Sequence, residues 1–199
     1  MLRARCIWPG SREMFCFRDR RPPMDDFVVE PASGIDFESV ATLELAAAKM
    51  FDPADLVPAI AAITTSTEEA MAAQQEGRLI VARTSEGKVI GFALLAELDG
   101  HTHLEELDVA PQYGRQGTGR ALVCAAIEAA RVRGDAEITL STFAHVPWNA
   151  PFYTSMGFGE IPPGEYTQGM QVLRRSESEL GLDLGKRIVM SLRIDPARA

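Results

Sequence analysis

The segment Val109-Ala110-Pro111-Gln112-Tyr113-Gly114-Arg115-Gln116-Gly117-Thr118-Gly119-Arg120-Ala121-Leu122 sets three glycines and two arginines between two regular elements. Before it, His103 to Val109 reads as a strand. After it, Leu122, Ala126, Ile127 and Ala130 recur with helical spacing, and Gly134 can cap that helix. Glycines at such a junction let the backbone approach a ligand and leave the turn's N–H groups unobstructed. The first helical turn adds unpaired donors and the positive end of its dipole. The matching guest is an anion, diphosphate above all, with Arg115 and Arg120 as supplementary charge. A glycine bend that serves only the change of chain direction is the competing reading. The Gly-Lys-Ser/Thr ending of a P-loop is absent, and Gly117-Thr118-Gly119-Arg120-Ala121-Leu122 does not complete a dinucleotide-binding glycine pattern.

Working outward, Leu79 to Arg83 and Lys88 to Glu97 read as an antiparallel pair joined at Ser85-Glu86-Gly87. Ahead of them come a strand, Phe27 to Glu30, a helix over Phe37 to Phe51, and a second helix that Asp52-Pro53 starts and that runs through Ile63. Beyond Gly134 the pattern predicts a strand from Glu137 to Phe143, a short helix from Asn149 to Met156 and a strand from Phe158 to Ile161. A helix from Met170 to Leu180 and a last strand from Arg187 to Ile194 follow. This order predicts a mixed α/β (α+β) fold around one sheet, with no internal repeat.

The chain of 199 residues is 46% apolar, which suits one compact domain. No apolar run approaches the roughly 18 to 20 residues that span a bilayer, so membrane insertion is not expected. Residues 1–23 carry six Arg against Glu13 and Asp19, a net +4. With −8 overall, residues 24–199 carry −12. An acidic body disfavours nucleic acid as a partner and, beyond serving solubility, attracts cationic amines. The leader lacks the apolar core of an export signal. It is expected to be a disordered tail or a mis-assigned start, with the functional domain occupying residues 24–199. Three cysteines, Cys6, Cys16 and Cys124, form neither a disulfide framework nor a metal-ligand spacing. A reducing, cytoplasmic setting is expected, with Cys124 a small buried hydrophobe.

The glycine turn resembles the signature of the GNAT superfamily of N-acetyltransferases: Val109-Ala110-Pro111 at the strand end and Gly117-Thr118-Gly119 match it. Gly114 stands where the family has Arg or Gln, and Arg115 is the substitute for the displaced charge. Some 30 residues on, Asn149-Ala150-Pro151-Phe152-Tyr153-Thr154-Ser155-Met156-Gly157-Phe158 is similar to the family's second hallmark, an Asn-led short helix carrying Tyr and ending in Gly-Phe. The resemblance implies a single GNAT-like domain whose central, mostly antiparallel sheet of six to seven strands is splayed in a V and flanked by helices. It implies acetyl-CoA as cosubstrate, no metal, direct attack by a primary amine in a ternary complex, and a homodimer as an admissible state. A non-catalytic acyl-CoA-binding regulatory module of the same fold is the alternative.

By the same resemblance the acetyl-CoA-binding residues are Leu107, Val109, Gly114, Arg115, Gln116, Gly117, Thr118, Gly119, Arg120 and Asn149. The Leu107 and Val109 amides polarise the thioester carbonyl. Asn149 contacts the pantetheine arm or an ordered water, unless it serves only as a helix cap. Acyl transfer to an amine also needs a base for the ammonium, whose pKa lies near 10, and a proton for the thiolate. Strict alternation along His103 to Val109 puts His103, Glu105, Leu107 and Val109 on one face and Glu106 and Asp108 on the other. On the face that the family turns to the thioester, Glu105 is the expected base with His103 as partner or substitute, and Glu106 is expected to be a surface or supporting charge. Tyr153 is the expected acid. The acceptor, a small-molecule amine, an antibiotic or a protein N-terminus, would meet the first helices and Phe143 to Trp148, where Phe51, Phe143 and Trp148 offer aromatic surface.

Overall fold

A computed structural model describes residues 5–6, 14–15 and 27–194. In chain order the elements are β1 (Arg5–Cys6), β2 (Met14–Phe15), β3 (Phe27–Pro31), α1 (Val40–Ala48), α2 (Pro58–Ala61), α3 (Thr67–Gln75), β4 (Leu79–Thr84), β5 (Val89–Leu98) and β6 (His101–Val109). There follow α4 (Thr118–Arg133), β7 (Glu137–Phe143), α5 (Ala150–Thr154), β8 (Gly159–Glu160), α6 (Gln168–Glu179) and β9 (Arg187–Arg193). The sheet order is β2-β1-β3-β4-β5-β6-β7-β9-β8, antiparallel except at β1·β3 and β6·β7. The seven strands from β3 onward form the expected mostly antiparallel sheet. The two-residue β1 and β2 extend its β3 edge, while the boundary expected at Met24 and the remainder of the leader lie outside the described residues.

Helix α4 covers one face. Its Ala121, Leu122, Ala125, Ala126, Ala129 and Ala130 are buried with Ile80, Ile90, Ala93, Leu104, Ile138 and Leu140. Small alanines let the helix axis come close to the strands, and the β6–α4–β7 crossover makes the one parallel pair in the body of the sheet possible. On the other face Val40, Leu43, Ala70 and Ala73 of α1 and α3 pack on Leu79, Val81, Phe92 and Leu94.

Several expectations need correction. The first helix begins as a 3-10 turn, Asp36–Ser39, and its α-helical part ends at Ala48, with Leu45 and Met50 exposed. Asp52-Pro53 does not start a helix. Instead the Asp52 carboxylate accepts from the Ala54 amide, closing a turn, and only Pro58–Ala61 is helical. Helix α3 was not expected. Its signal is a capping box in which Ser66 accepts from the Glu69 amide and the Glu69 carboxylate accepts from the Ser66 amide. Cys124 is half-buried, not fully buried as expected.

Gly91 allows a close backbone approach between β5 and β6. A Cβ there would lie 2.7 Å from the Asp108 carbonyl oxygen. Gly91→Ala should therefore push β5 from β6 and lower stability by about 1–3 kcal/mol, read as a lower urea midpoint. An unchanged midpoint would contradict this account of the contact.

Candidate active site

The β6·β7 ladder pairs Thr102 with Ile138, His103 with Thr139 and Leu104 with Leu140, then stops, although both strands continue to Val109 and Phe143. Beyond that point the strands diverge and a V-shaped opening forms. The Ala110 amide donates to the Ile90 carbonyl at 2.9 Å, on the β5 side. Because successive strand amides point to opposite edges, the Val109 and Leu107 N–H groups point away from β5 into the opening.

At the mouth lies the glycine turn. Gly117 has φ 94° and precedes α4, whose first intrahelical bond is Ala121 N–H to Gly117 O, so the amides of Thr118, Gly119 and Arg120 are unspent within the helix. A positive φ at this position strains any side chain but glycine's. Thr118 is 2% exposed, and its Oγ1 has no hydrogen-bond partner among the described residues. No acidic residue stands in the first turn of α4. A buried orphan hydroxyl beside spare amides fits the diphosphate of an acyl-CoA. The unusual Gly114 also has a reason: a Cβ there would sit 3.1 Å from the Pro111 carbonyl oxygen. Arg115 is exposed at φ 60°, and the Gln116 side chain folds back to donate to the Gln112 carbonyl.

Helix α5 closes the same end. A Cβ on Gly119 would lie 3.8 Å from Val109 and 3.9 Å from Phe152, and Arg120 donates to Ser155 Oγ at 2.9 Å. Tyr153 packs at steep ring angles between Phe152 and Phe158, with ring centroids 5.1 and 5.8 Å away. It is 8% exposed, and its hydroxyl has no partner among the described residues. That oxygen nonetheless keeps some contact with solvent. Burial, followed by the Glu106 and Asp108 charges, pushes the phenol up and keeps it protonated. Asn149 sits at the N-cap of α5 but makes no capping bond, which leaves its amide for another partner.

The alternation expected along β6 fails at Glu105. Leu94 pairs with Glu106 and Leu95 with Leu104, so Glu105 is an extra residue in a β-bulge. Leu104, Leu107 and Val109 then all face the α4 core, whereas Glu106 and Asp108, opposite Leu94 and Phe92, face the α1/α3 side together with His103. His103 therefore does not share a face with Val109. It is 5% exposed, its Nδ1 lies 2.8 Å from Thr139 Oγ1, and burial lowers it to about 4, so it is neutral at pH 7. Glu105 is exposed and its carboxyl is raised by partial burial, offset by Arg78. Glu106 was expected to be only a supporting charge. Solvent reaches it, yet the concave surroundings, with Glu44 and Glu105 as like charges, raise it to about 7. A bulge in β6 could not be read from the strand itself, since it depends on the pairing with β5.

Further along the opening, Phe51 packs against Phe143 and Trp148 at 5.6 and 6.0 Å. Asp55, in the loop after α1, holds Lys186 Nζ at 2.7 Å and His145 Nε2 at 2.9 Å, tying that loop to the end of β7 and the start of β9. Glu177 of α6 accepts from Ser141 Oγ, Arg174 and Arg187 at 2.5, 2.6 and 2.9 Å, and the Arg187 guanidinium lies 4.8 Å above Phe143. Among the described residues no group of three or more His, Cys, Asp or Glu could hold a metal ion, and no helix is long and apolar enough to cross a membrane.

A splayed parallel pair feeding a glycine turn and an α4 N-terminus makes this an α/β domain with an opening whose donors suit a diphosphate. The model of the acetyltransferase (GNAT) family matches residues 44–158, more than half of the chain, and the chain belongs to that family. Among solved structures it is similar to N-acetylglutamate synthase from Neisseria gonorrhoeae, in complex with coenzyme A and N-acetyl-glutamate (TM-score 0.64, 16% identity, 85% of this chain). The chain spans only 35% of that protein. It is also similar to the ribosomal-protein-S18-alanine N-acetyltransferase from Escherichia coli (0.56, 22%, 86% of this chain and 96% of that one). A third likeness is to the PaiA N-acetyltransferase from Thermoplasma acidophilum in complex with coenzyme A (0.59, 15%, 84% and 99%). At these identities the likeness is one of fold.

The depressed His103 has a measurable consequence. In the unfolded chain its imidazole takes a proton below about 6.5, but in the folded protein only near 4. Its stabilising contribution is thus complete above 6.5 and is lost as pH falls to 4, by up to about 3 kcal/mol. His103→Gln should flatten the fall of Tm across that window. An equally steep fall would exclude the buried-neutral state.

Proposed function

We propose that the protein is an N-acetyltransferase that passes the acetyl group of acetyl-CoA directly to a primary amine in a ternary complex. One observation carries this reading: the end of the β6·β7 ladder opens unpaired strand amides beside both Thr118 at the glycine turn and the Tyr153 hydroxyl.

Gly117, Thr118, Gly119 and Arg120 hold the diphosphate, with Arg115 and Gln116 at the outer edge of the turn, Gly114 shaping it, and Asn149 toward the pantetheine arm. Acetyl-CoA supplies the activated thioester. The Leu107 and Val109 amides polarise its carbonyl. Glu106 accepts one proton of the incoming ammonium, the amine nitrogen bonds to the carbonyl carbon, the carbon–sulfur bond breaks as Tyr153 gives its proton to the departing sulfur, and the second proton of the nitrogen returns to the tyrosine oxygen as the amide forms. A carboxylate poised at about 7 suits the base role at neutral pH, which moves that role from Glu105 to its neighbour. A phenol that never ionises near neutrality suits the acid role. His103 then positions Thr139 and β7, and Glu105 lines the approach.

Two experiments test this. CoA and acetyl-CoA should raise the melting temperature, and no rise with any CoA species would end the reading. With a competent amine, Tyr153→Phe should lower kcat about a hundredfold with the acetyl-CoA KM nearly unchanged. In the parent protein kcat/KM should climb through about pH 7 as Glu106, flanked by Glu44, Glu105, Asp108, Arg187 and Tyr153, loses its proton. Glu106→Gln should abolish that limb. Normal CoA binding without transfer to any amine would instead leave the silent binding module.

A further inference from the structure

Removing one proton from an ammonium requires one carboxylate, yet four converge on the α1/α3 side of the opening. Glu44 projects from α1, and Glu105, Glu106 and Asp108 follow one another along the bulged end of β6. Of these, Glu44 alone is satisfied by the fold, accepting from the Thr65 amide and hydroxyl at 2.9 and 2.6 Å. Asp108 is the unusual member. It is 8% exposed, lies opposite Phe92, and has no hydrogen bond or ion pair among the described residues.

A buried carboxyl is ordinarily met by a cation or by amide donors, because an unpaired one costs several kcal/mol of desolvation. The neighbouring cations are already engaged. Arg78 is bound to Glu76 and to the Leu95 carbonyl, and Arg187 to Glu177 and Ser141. Burial, and after it the like charges of Glu106 and Glu44, hold the Asp108 carboxyl well above the usual carboxylate range. Its oxygens keep some contact with solvent on the open side of the strand, as does the Tyr153 hydroxyl. The chain thus leaves Asp108 buried, protonated and without a partner of its own beside the reaction site, where an arriving cation would draw out its charge.

We propose that the acceptor carries a second ammonium group, which the unpartnered Asp108 holds within the field of Glu44 while the first is presented to Glu106. The inference rests on the acetyl-transfer reading and narrows its substrate to diamines and polyamines, whether linear or built on an amino sugar. A lone alkylamine leaves the second acidic position unmet. An amino acid brings a carboxylate toward three others and is repelled. Glu105, on the exposed bulge, faces the approach and extends the same field outward.

The test is equilibrium binding to the CoA-saturated full chain by calorimetry, which requires no turnover. Putrescine, spermidine and kanamycin are compared with n-butylamine and glutamate. At least one di- or polycation should bind about tenfold or more tightly than n-butylamine, and glutamate should not compete. Asp108→Asn should erase most of that preference, and Glu44→Gln, on a half-buried helix position, the remainder. Preference for linear amines over kanamycin, or the reverse, identifies the source of the second charge. Equal binding of putrescine and n-butylamine, or retention of the preference in Glu44→Gln together with Asp108→Asn, overturns the subsite even if acetyl transfer proceeds. Selective dication binding without transfer to any amine overturns the catalytic reading and leaves the subsite standing.

Discussion

The site depends on one interruption in hydrogen bonding: β6 and β7 pair as far as Leu104 and Leu140 and no further. Backbone amides in a continuous sheet are consumed by the ladder and are useless to a ligand. Ending the ladder part-way along two otherwise regular strands frees the amides of Leu107 and Val109 while the same strands remain anchored, β6 to β5 and β7 to β9. The opening is rigid because each of its arms is half of an intact antiparallel pair, which is the kind of support that a fixed electrostatic site requires.

The bulge at Glu105 works with that interruption. By adding one residue to β6 it reverses the side-chain phase, so that Leu107 and Val109 join the α4 core while Glu106 and Asp108 emerge on the α1/α3 side. The strand thereby offers main-chain donors along one edge and carboxyl groups on one face, two kinds of chemistry within five residues. Gly91 belongs to the same arrangement, since its missing side chain lets β5 come close to the carbonyl of Asp108. The polar groups around the opening separate into two sets. Thr118, Tyr153 and Asp108 are buried or nearly so and lack partners within the described fold, whereas Glu177, Arg174, Arg187, Asp55 and Lys186 are fully engaged. The engaged set fixes α6 and the two rim loops, and the unengaged set faces what enters.

Much of this was legible in the primary structure. The strand β7 from Glu137 to Phe143, the hairpin around Gly87, the helix α4 ending at Gly134 and the turn at Gly117 follow from local patterns, because burial on one face imposes a period and a glycine marks each place where the chain must turn left-handed. The two motifs led by Val109 and Asn149 carried the family, since their chemistry is that of backbone and small residues at fixed local spacing. Helix α3 was written in Ser66 and Glu69 and could have been found from the capping box alone.

What the sequence by itself determined is therefore the order of the elements, the glycine turn with its helix, and the short helix that carries Tyr153, all of which depend on patterns among residues close in the chain. Which carboxylates meet in the cleft was decided only by tertiary structure. The phase of β6 depends on how it registers with β5, and the charge state of Glu106 and Asp108 depends on Glu44 from a helix some 60 residues earlier. The identity of a strand residue's face is fixed by its partner strand, and the proton affinity of a carboxyl group by everything packed around it. Neither quantity exists until the chain has folded.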